Sequence, residues 1–262
     1  MLAVHTPVWF FDHWPEKRII STAYGAELAE RHSRQSRDLI VSNSDILDIQ
    51  LRKDRMRVDS FETTAGGGLE AAGVRGAITG FGADLLLCDD LTKDEKEAES
   101  KTIREDNWNW FSVTALSRVE PGGSVIVLGT RWHIDDVQGR LEKLSLKNWI
   151  RIKMEAICMN PEEDPIGRAK GEALWPERYT VEAFDDLRAV MTDYFWMAVY
   201  QQRPLKSHGL NAGGFQIVQE LPHISRLEFV RYWDLASQEG AGDWSVGSLL
   251  AHDRDWETAI QK

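Results

Sequence analysis

Residues 83–90 read ADLLLCDD and residues 124–133 read SVIVLGTRWH. Each is a short, unbroken apolar run that gives way to polar residues at its carboxyl end. A strand with one wet face alternates apolar and polar residues, whereas a strand apolar at consecutive positions is covered on both faces, as in parallel sheets layered by helices. The two runs therefore predict an α/β sheet. They also predict that polar groups emerge at the carboxyl ends of its strands, where ligands of open α/β sheets bind.

The flanking sequence fits that architecture. Residues 2–14 (LAVHTPVWFFDHW) predict a helix, residues 17–24 (KRIISTAY) a strand, and residues 25–43 a helix with arginines on its outer face. Residues 56–64 (MRVDSFETT) alternate as a strand, and the glycine-punctuated stretch 69–84 predicts short hairpin segments. Residues 93–116 predict one long polar helix, residues 134–144 a further helix, and residues 149–157 (WIRIKMEAI) a further strand. The Pro-, Gly- and charge-rich stretch 160–176 reads as a loop or linker, and residues 181–205 as a helix up to Pro204. After the loop at 208–215, residues 227–237 (LEFVRYWDLAS) and 243–253 (DWSVGSLLAHD) predict two adjacent strands joined by QEGAG, the opening of a second domain.

A chain of 262 residues is long enough for one large or two ordinary domains, and no apolar window approaches the length of a membrane-spanning helix, so a soluble globular protein is expected. No secretion signal is recognisable at the start. Cys88 and Cys158 stand apart without metal-ligand spacing, which predicts neither a disulfide framework nor a zinc site. The net charge of -11 argues against nucleic-acid binding by bulk positive charge. Locally, residues 31–57 hold seven basic and four acidic residues, either a local basic face or a solvated helix and loop surface. Residues 84–99 carry seven carboxylates against Lys93 and Lys96.

Two carboxylates, Asp89 and Asp90, follow directly on the first apolar run. At a strand end in a nucleotide-hydrolysing site, one such acid holds Mg2+ directly or through water, and its neighbour orients or deprotonates the attacking water. Two acids there can also cap a helix or close a turn. The second run delivers Thr130 and Arg131 to the same sheet edge; Thr130 can bond a catalytic water or a phosphate oxygen, and Arg131 can pair with phosphate or with the acidic cluster. His133 is read as part of a turn and Asp135 as a helix-start residue.

Four segments in order, residues 74–98 (VRGAITGFGADLLLCDDLTKDEKEA), 125–141 (VIVLGTRWHIDDVQGRL), 200–205 (YQQRPL) and 231–247 (RYWDLASQEGAGDWSVG), resemble the large terminase subunit of tailed bacteriophages over nearly the whole chain. The resemblance implies a P-loop ASCE-type ATPase sheet over residues 1–160, a linker and subdomain over 161–225, and the opening strands of an RNase H-like nuclease domain over 226–262. It matches Asp89 and Asp90 to the Walker B pair and Thr130 to the coupling motif. Asp234 matches the first metal-binding acid of the nuclease, and Asp243 an acid across the hairpin from it. The implied cofactors are ATP and Mg2+, with Mn2+ possible at the nuclease site. The implied partners are double-stranded DNA, the small terminase subunit, the portal of the procapsid and further copies in a motor ring. The implied location is the host cytoplasm rather than a membrane or the mature virion.

The family's Walker A loop, GxxxxGK[ST], is absent from the sequence. The family places it just before a helix resembling residues 2–15 and supplies further nuclease acids beyond the segment matched by residues 226–262. A chain truncated at both ends, and inactive alone, is therefore expected. The alternatives are another ASCE-type motor, such as a helicase-like ATPase, and a non-catalytic prophage remnant.

Overall fold

The computed structural model describes residues 1–76, 78, 80–144, 147–205, 227–234 and 246–253. The chain divides into two compact units, Met1–His208 and Gly209–Lys262. The first unit begins with α1 (Leu2–His13), β1 (Arg18–Ala23) and α2 (Ala26–Ser42), continues through β2 (Leu51–Met56), β3 (Ser60–Thr63) and β4 (Gly68–Gly73), and reaches β5 (Ala83–Asp89). Next come α3 (Glu95–Glu99), α4 (Lys101–Asn109), β6 (Val119–Leu128), α5 (Val137–Leu144), α6 (Val181–Ala189) and the short α7 (Asp193–Phe195).

The six strands form one sheet in the order β2-β3-β4-β1-β5-β6. The strands β4, β1, β5 and β6 run parallel, while β3 pairs antiparallel with both β2 and β4. The chain passes from β4 on one side of β1 to β5 on the other, so the connectivity reverses around β1. Leu85, Leu86, Leu87 and Cys88 are at most 2% exposed, as their unbroken apolar run predicts. Leu85 joins Phe10, Phe11, Ile19, Ile40 and Phe61 in a cluster roofed by α1 and α2. Leu86 and Cys88 join Ile20, Trp110, Phe111 and Val137 in a second cluster supplied from after α4 and from α5. A third cluster, Ala156, Ala173, Phe184 and Trp196, organises residues 156–200.

Several local expectations are corrected. The stretch 56–64 is not one strand: Arg57 N–H donates to the Ser60 carbonyl at 2.8 Å, and the Arg57 guanidinium pairs with Asp59, turning the chain between β2 and β3. Residues 68–73 are not a local hairpin arm alone, since β4 is also the parallel neighbour of β1. The helix expected over 93–116 is interrupted, because Ser100 is extended and its hydroxyl accepts from Ile103 N–H, starting α4 afresh. A wide π turn over Trp110–Ala115 then seats Trp110 and Phe111 in the core. The helix expected over 181–205 breaks at Val190, and Thr192 caps α7. Residues 149–154 form no strand, although they alternate like one. Among the described residues their stretch joins a ladder only through the isolated bridge Ile157↔Ala173, and Ile150 and Ile152 stay exposed.

Charge is largely settled locally. Arg37 pairs with Asp38, Arg52 with Asp54 and Glu62, and Arg55 with Glu62, so much of the basic span 31–57 is balanced on its own surface. Asp94 and Glu97 form a reciprocal cap on α3: Asp94 accepts from Glu97 N–H and Glu97 accepts from Lys93 N–H. In the second unit, β7 (Leu227–Asp234) and β8 (Val246–Asp253) pair antiparallel, with Asp234 opposite Val246. Asp243 lies outside the described residues. No helix among the described residues is long and apolar enough to cross a membrane.

Because Leu86 is fully buried on a strand covered on both faces, Leu86→Ala should cost about 2–5 kcal/mol in urea unfolding. Ile126→Ala, on the outer and half-buried β6, should cost roughly half of that or less. Equal losses would contradict the placement of β5 as a strand buried on both faces inside the edge strand β6.

Candidate functional site

The sheet register aligns Gly73, Ala23, Asp89 and Leu128 in one row across β4, β1, β5 and β6. Asp89 and Asp90 therefore emerge between the ends of β1 and β6, beside the point where connectivity reverses. Such a crevice is where open α/β sheets bind ligands. The start of β5 is fixed by Asp84, which accepts from the Lys17 ammonium at 2.8 Å and from Arg18 N–H at 2.9 Å.

Asp90 is the hinge between strand and site. Its N–H donates to the Leu128 carbonyl at 3.1 Å and its carbonyl accepts from Tyr24 N–H at 2.9 Å, so its backbone ties the carboxyl ends of β1, β5 and β6. It takes a left-handed backbone, φ 46°, which is uncommon for a residue with a Cβ. Its carboxylate accepts the Thr130 N–H at 3.0 Å. Asp90 and Thr130 are thus brought together, through the Thr130 backbone.

Asp89 is in a different situation. Its side chain is 19% exposed, and among the described residues the one basic group within 4 Å of its carboxylate is His32, at 3.5 Å. Burial pushes the Asp89 carboxyl above its ordinary value, and the charge of Asp90 pushes it the same way. Burial pulls the His32 imidazole below its ordinary value, with Arg31 adding to the effect and Asp90 opposing it. The distance alone suggests an ion pair; both shifts oppose one, and the contact is long, so His32 is read as neutral. Two adjacent carboxylates then share a half-buried site with little compensating charge.

That donor set suits a hard divalent cation that keeps several waters and takes its remaining ligands from a substrate phosphate. Among the described residues no group of three or more His, Cys, Asp or Glu could enclose a metal by itself. Among the other acids of residues 84–99, Asp84, Asp94 and Glu97 have the structural tasks given above, and Glu99 accepts from the Tyr194 hydroxyl at 2.7 Å.

Arg131 is 6% exposed and engaged by carboxylates. Its Nε lies 3.0 Å from both Asp136 oxygens, and its guanidinium also meets Glu142 at 3.0 Å. These carboxylates lie outside the cluster at 84–99. Asp136 in turn accepts from Gly139 N–H at 2.7 Å, which caps α5, and from Trp132 and His133 N–H. Asp136, not Asp135, is therefore the helix-start residue. Asp135 instead binds Arg140 and Lys143. His133 accepts from Asp135 N–H through Nδ1, a turn contact. Asp234 ends β7 in the second unit, and its side chain is outside the described residues.

Two contributors carry no role in the sequence analysis. His32 has only its place on α2, after the strand–turn unit, as a signal. Gln202, within the YQQRPL segment, accepts the Arg131 N–H at 3.1 Å. An open groove of about 580 Å³ runs beside β6, from Val127–Gly129 past Arg131 and Gln202 to Ile150 and Ile152. Asp89 and Asp90 do not line this groove, which adjoins the loop after β6.

A carboxyl whose folded pKa is raised favours folding fully below its unfolded value and loses that contribution as pH rises through the folded value. Asp89→Asn should therefore stabilise the metal-free chain at neutral pH, by about 0.5–2 kcal/mol as for other site-relaxing substitutions. The gain should shrink as pH falls below the carboxylate range. A destabilised variant at pH 7, or a gain independent of pH, would contradict this electrostatic reading.

The family model "Terminase large subunit, T4likevirus-type, N-terminal" matches residues 3–191. No curated protein sequence matches the chain. Among solved structures, the large terminase from a thermophilic bacteriophage, in complex with ATP-gamma-S, is similar, with 11% sequence identity and a TM-score of 0.44. The alignment covers 98% of this chain and 60% of that one, so the chain spans less than two thirds of that protein's length. With the family model covering most of the sequence, the chain belongs to the terminase large-subunit family, to its T4-like-virus-type N-terminal portion.

Proposed function

We propose that the first unit is part of an ATP-hydrolysing motor that drives double-stranded phage DNA into a procapsid. The observation that carries this reading is the Asp89–Asp90 pair, poorly compensated and held at the reversal point of a parallel sheet, in a chain of the terminase family. Family membership favours the packaging motor over a helicase-like one.

In this reading Asp89 is the Mg2+ ligand and Asp90 the base and water-orienting group. Asp89 would hold the Mg2+, which would supply positive charge against the triphosphate. Asp90 contributes through placement: its left-handed backbone turns the carboxylate towards the loop after β6, where the Thr130 N–H holds one oxygen and leaves the other to accept from water. Thr130 is the group through which the state of the carboxylate reaches the neighbouring strand. Arg131 serves as a brace, since a phosphate contact would require it to leave Asp136 and Glu142. These residues would supply the metal and water side of the site, and a phosphate-binding loop its cradle; residues 1–262 contain no GxxxxGK[ST] motif.

The remaining expectations extend the same proposal. Residues 1–160 would form the motor portion, 161–225 a linker and subdomain, and 226–262 the opening of an RNase H-like nuclease that cuts concatemeric DNA. Asp234 and Asp243 would contribute to a Mg2+ or Mn2+ centre there, which needs further carboxylates. The small terminase subunit, the portal and a ring of copies would be the partners, in the host cytoplasm.

The test compares two activities in one protein. The 262-residue chain alone should show no appreciable ATP turnover. In a terminase that carries these residues with a phosphate-binding loop and complete nuclease, Asp90→Asn should lower ATP hydrolysis by at least about 100-fold, with nucleotide affinity little changed. Asp234→Ala in that protein should abolish DNA cleavage and leave hydrolysis intact. Unchanged hydrolysis in Asp90→Asn, or loss of both activities in folded Asp234→Ala, would overturn the assignment.

A further inference from the structure

Two consecutive backbone N–H groups after β6 are captured by side chains from distant parts of the first unit. Thr130 N–H is held by Asp90 Oδ1 at 3.0 Å, and Arg131 N–H by Gln202 Oε1 at 3.1 Å. Both acceptor residues have left-handed backbones, φ 46° at Asp90 and φ 54° at Gln202. Among the described residues Arg75 is the one other non-glycine residue in that region. Such a conformation is unfavourable for a residue with a Cβ and persists where surrounding contacts over-determine it.

Those contacts are present around Gln202. Its Nε2 donates to the Val199 carbonyl at 2.7 Å, which leaves the amide oxygen as the end that faces the Arg131 N–H. The residues on either side are anchored independently: Gln201, 4% exposed, accepts from Ile157 N–H at 3.1 Å, and Arg203 Nε donates to Glu155 at 2.5 Å. Gln202 is therefore an acceptor on a rigid mount, aimed at the loop that carries Thr130. The mount lies just before the boundary of the first unit at His208.

We propose that Gln202 is a positioning residue of the Asp90 site. It holds the 130–131 backbone at the height where the Thr130 N–H meets the Asp90 carboxylate, and so links the state of that carboxylate to the segment by which the chain leaves the first unit. The coupling role rests on the nucleotide-site reading; the clamp itself can be tested without nucleotide.

The test is amide hydrogen exchange on the metal-free 262-residue chain, with Thr130 and Arg131 each read relative to Leu86 so that an overall change in stability cancels. Gln202→Met keeps the side-chain length and deletes the acceptor, whereas Gln202→Glu restores it. The methionine variant should accelerate exchange at both amides by about tenfold or more, the scale of one lost hydrogen bond. The glutamate variant, which keeps the acceptor and loses the donor to Val199, should exchange more slowly than the methionine variant at both amides. Acceleration confined to Arg131, with Thr130 exchange unchanged, would show a local bond only and overturn the proposal, as would no change at either amide. Such a result leaves the reading of the carboxylate pair standing, because neither metal nor nucleotide is present.

Discussion

Burial of the Leu85–Cys88 run on both faces of the sheet is the constraint on which the rest depends. A strand packed between two helical layers has no wet face on which to place a charged group. The carboxylates that follow can reach solvent only at the strand's end, and the register of β1, β5 and β6 sets that end level with its neighbours. Position, partial burial and the mutual repulsion of Asp89 and Asp90 all follow. A single-residue slip of β5 would exchange the residues facing the two helical layers and move the carboxylates out of the row.

The site is stabilised unevenly. Buried Arg131 and Asp136, with the partly exposed Glu142, form a network whose charges and N–H groups satisfy one another. Asp90 is held by its backbone and by Thr130. Among the described residues, the one basic side chain within 4 Å of the Asp89 carboxylate is a histidine that burial keeps towards its neutral form. The unmet charge is therefore concentrated at Asp89, and its raised pKa expresses that strain in the metal-free chain.

Much of this was legible in the sequence because it rests on periodicity and on local chemistry. The apolar runs at 85–88 and 125–128 marked strands, and the acids after the first stand at its carboxyl end, as expected. What escaped depended on long-range partners. Residues 149–154 have the alternation of a strand and form no ladder among the described residues, since alternation records which faces differ and not whether a neighbour is present. Ser100 looked like one more polar residue in a helical stretch, yet its hydroxyl starts a new helix. Arg131 offered a phosphate-binding group by type, whereas Asp136 and Glu142 engage it in space. Gln202 sits 71 positions from Arg131, and no local pattern announces that contact.

The most direct measurement of the central claim is paramagnetic broadening of backbone amides by substoichiometric Mn2+, a spin-bearing stand-in for Mg2+. If Asp89 and Asp90 form the cation site, the amides of Asp89, Asp90, Gly129 and Thr130 should broaden first, and excess Mg2+ should restore them. Broadening centred instead on the acidic residues 94–99, or signals at Asp89 and Asp90 that remain sharp while others fade, would contradict the account.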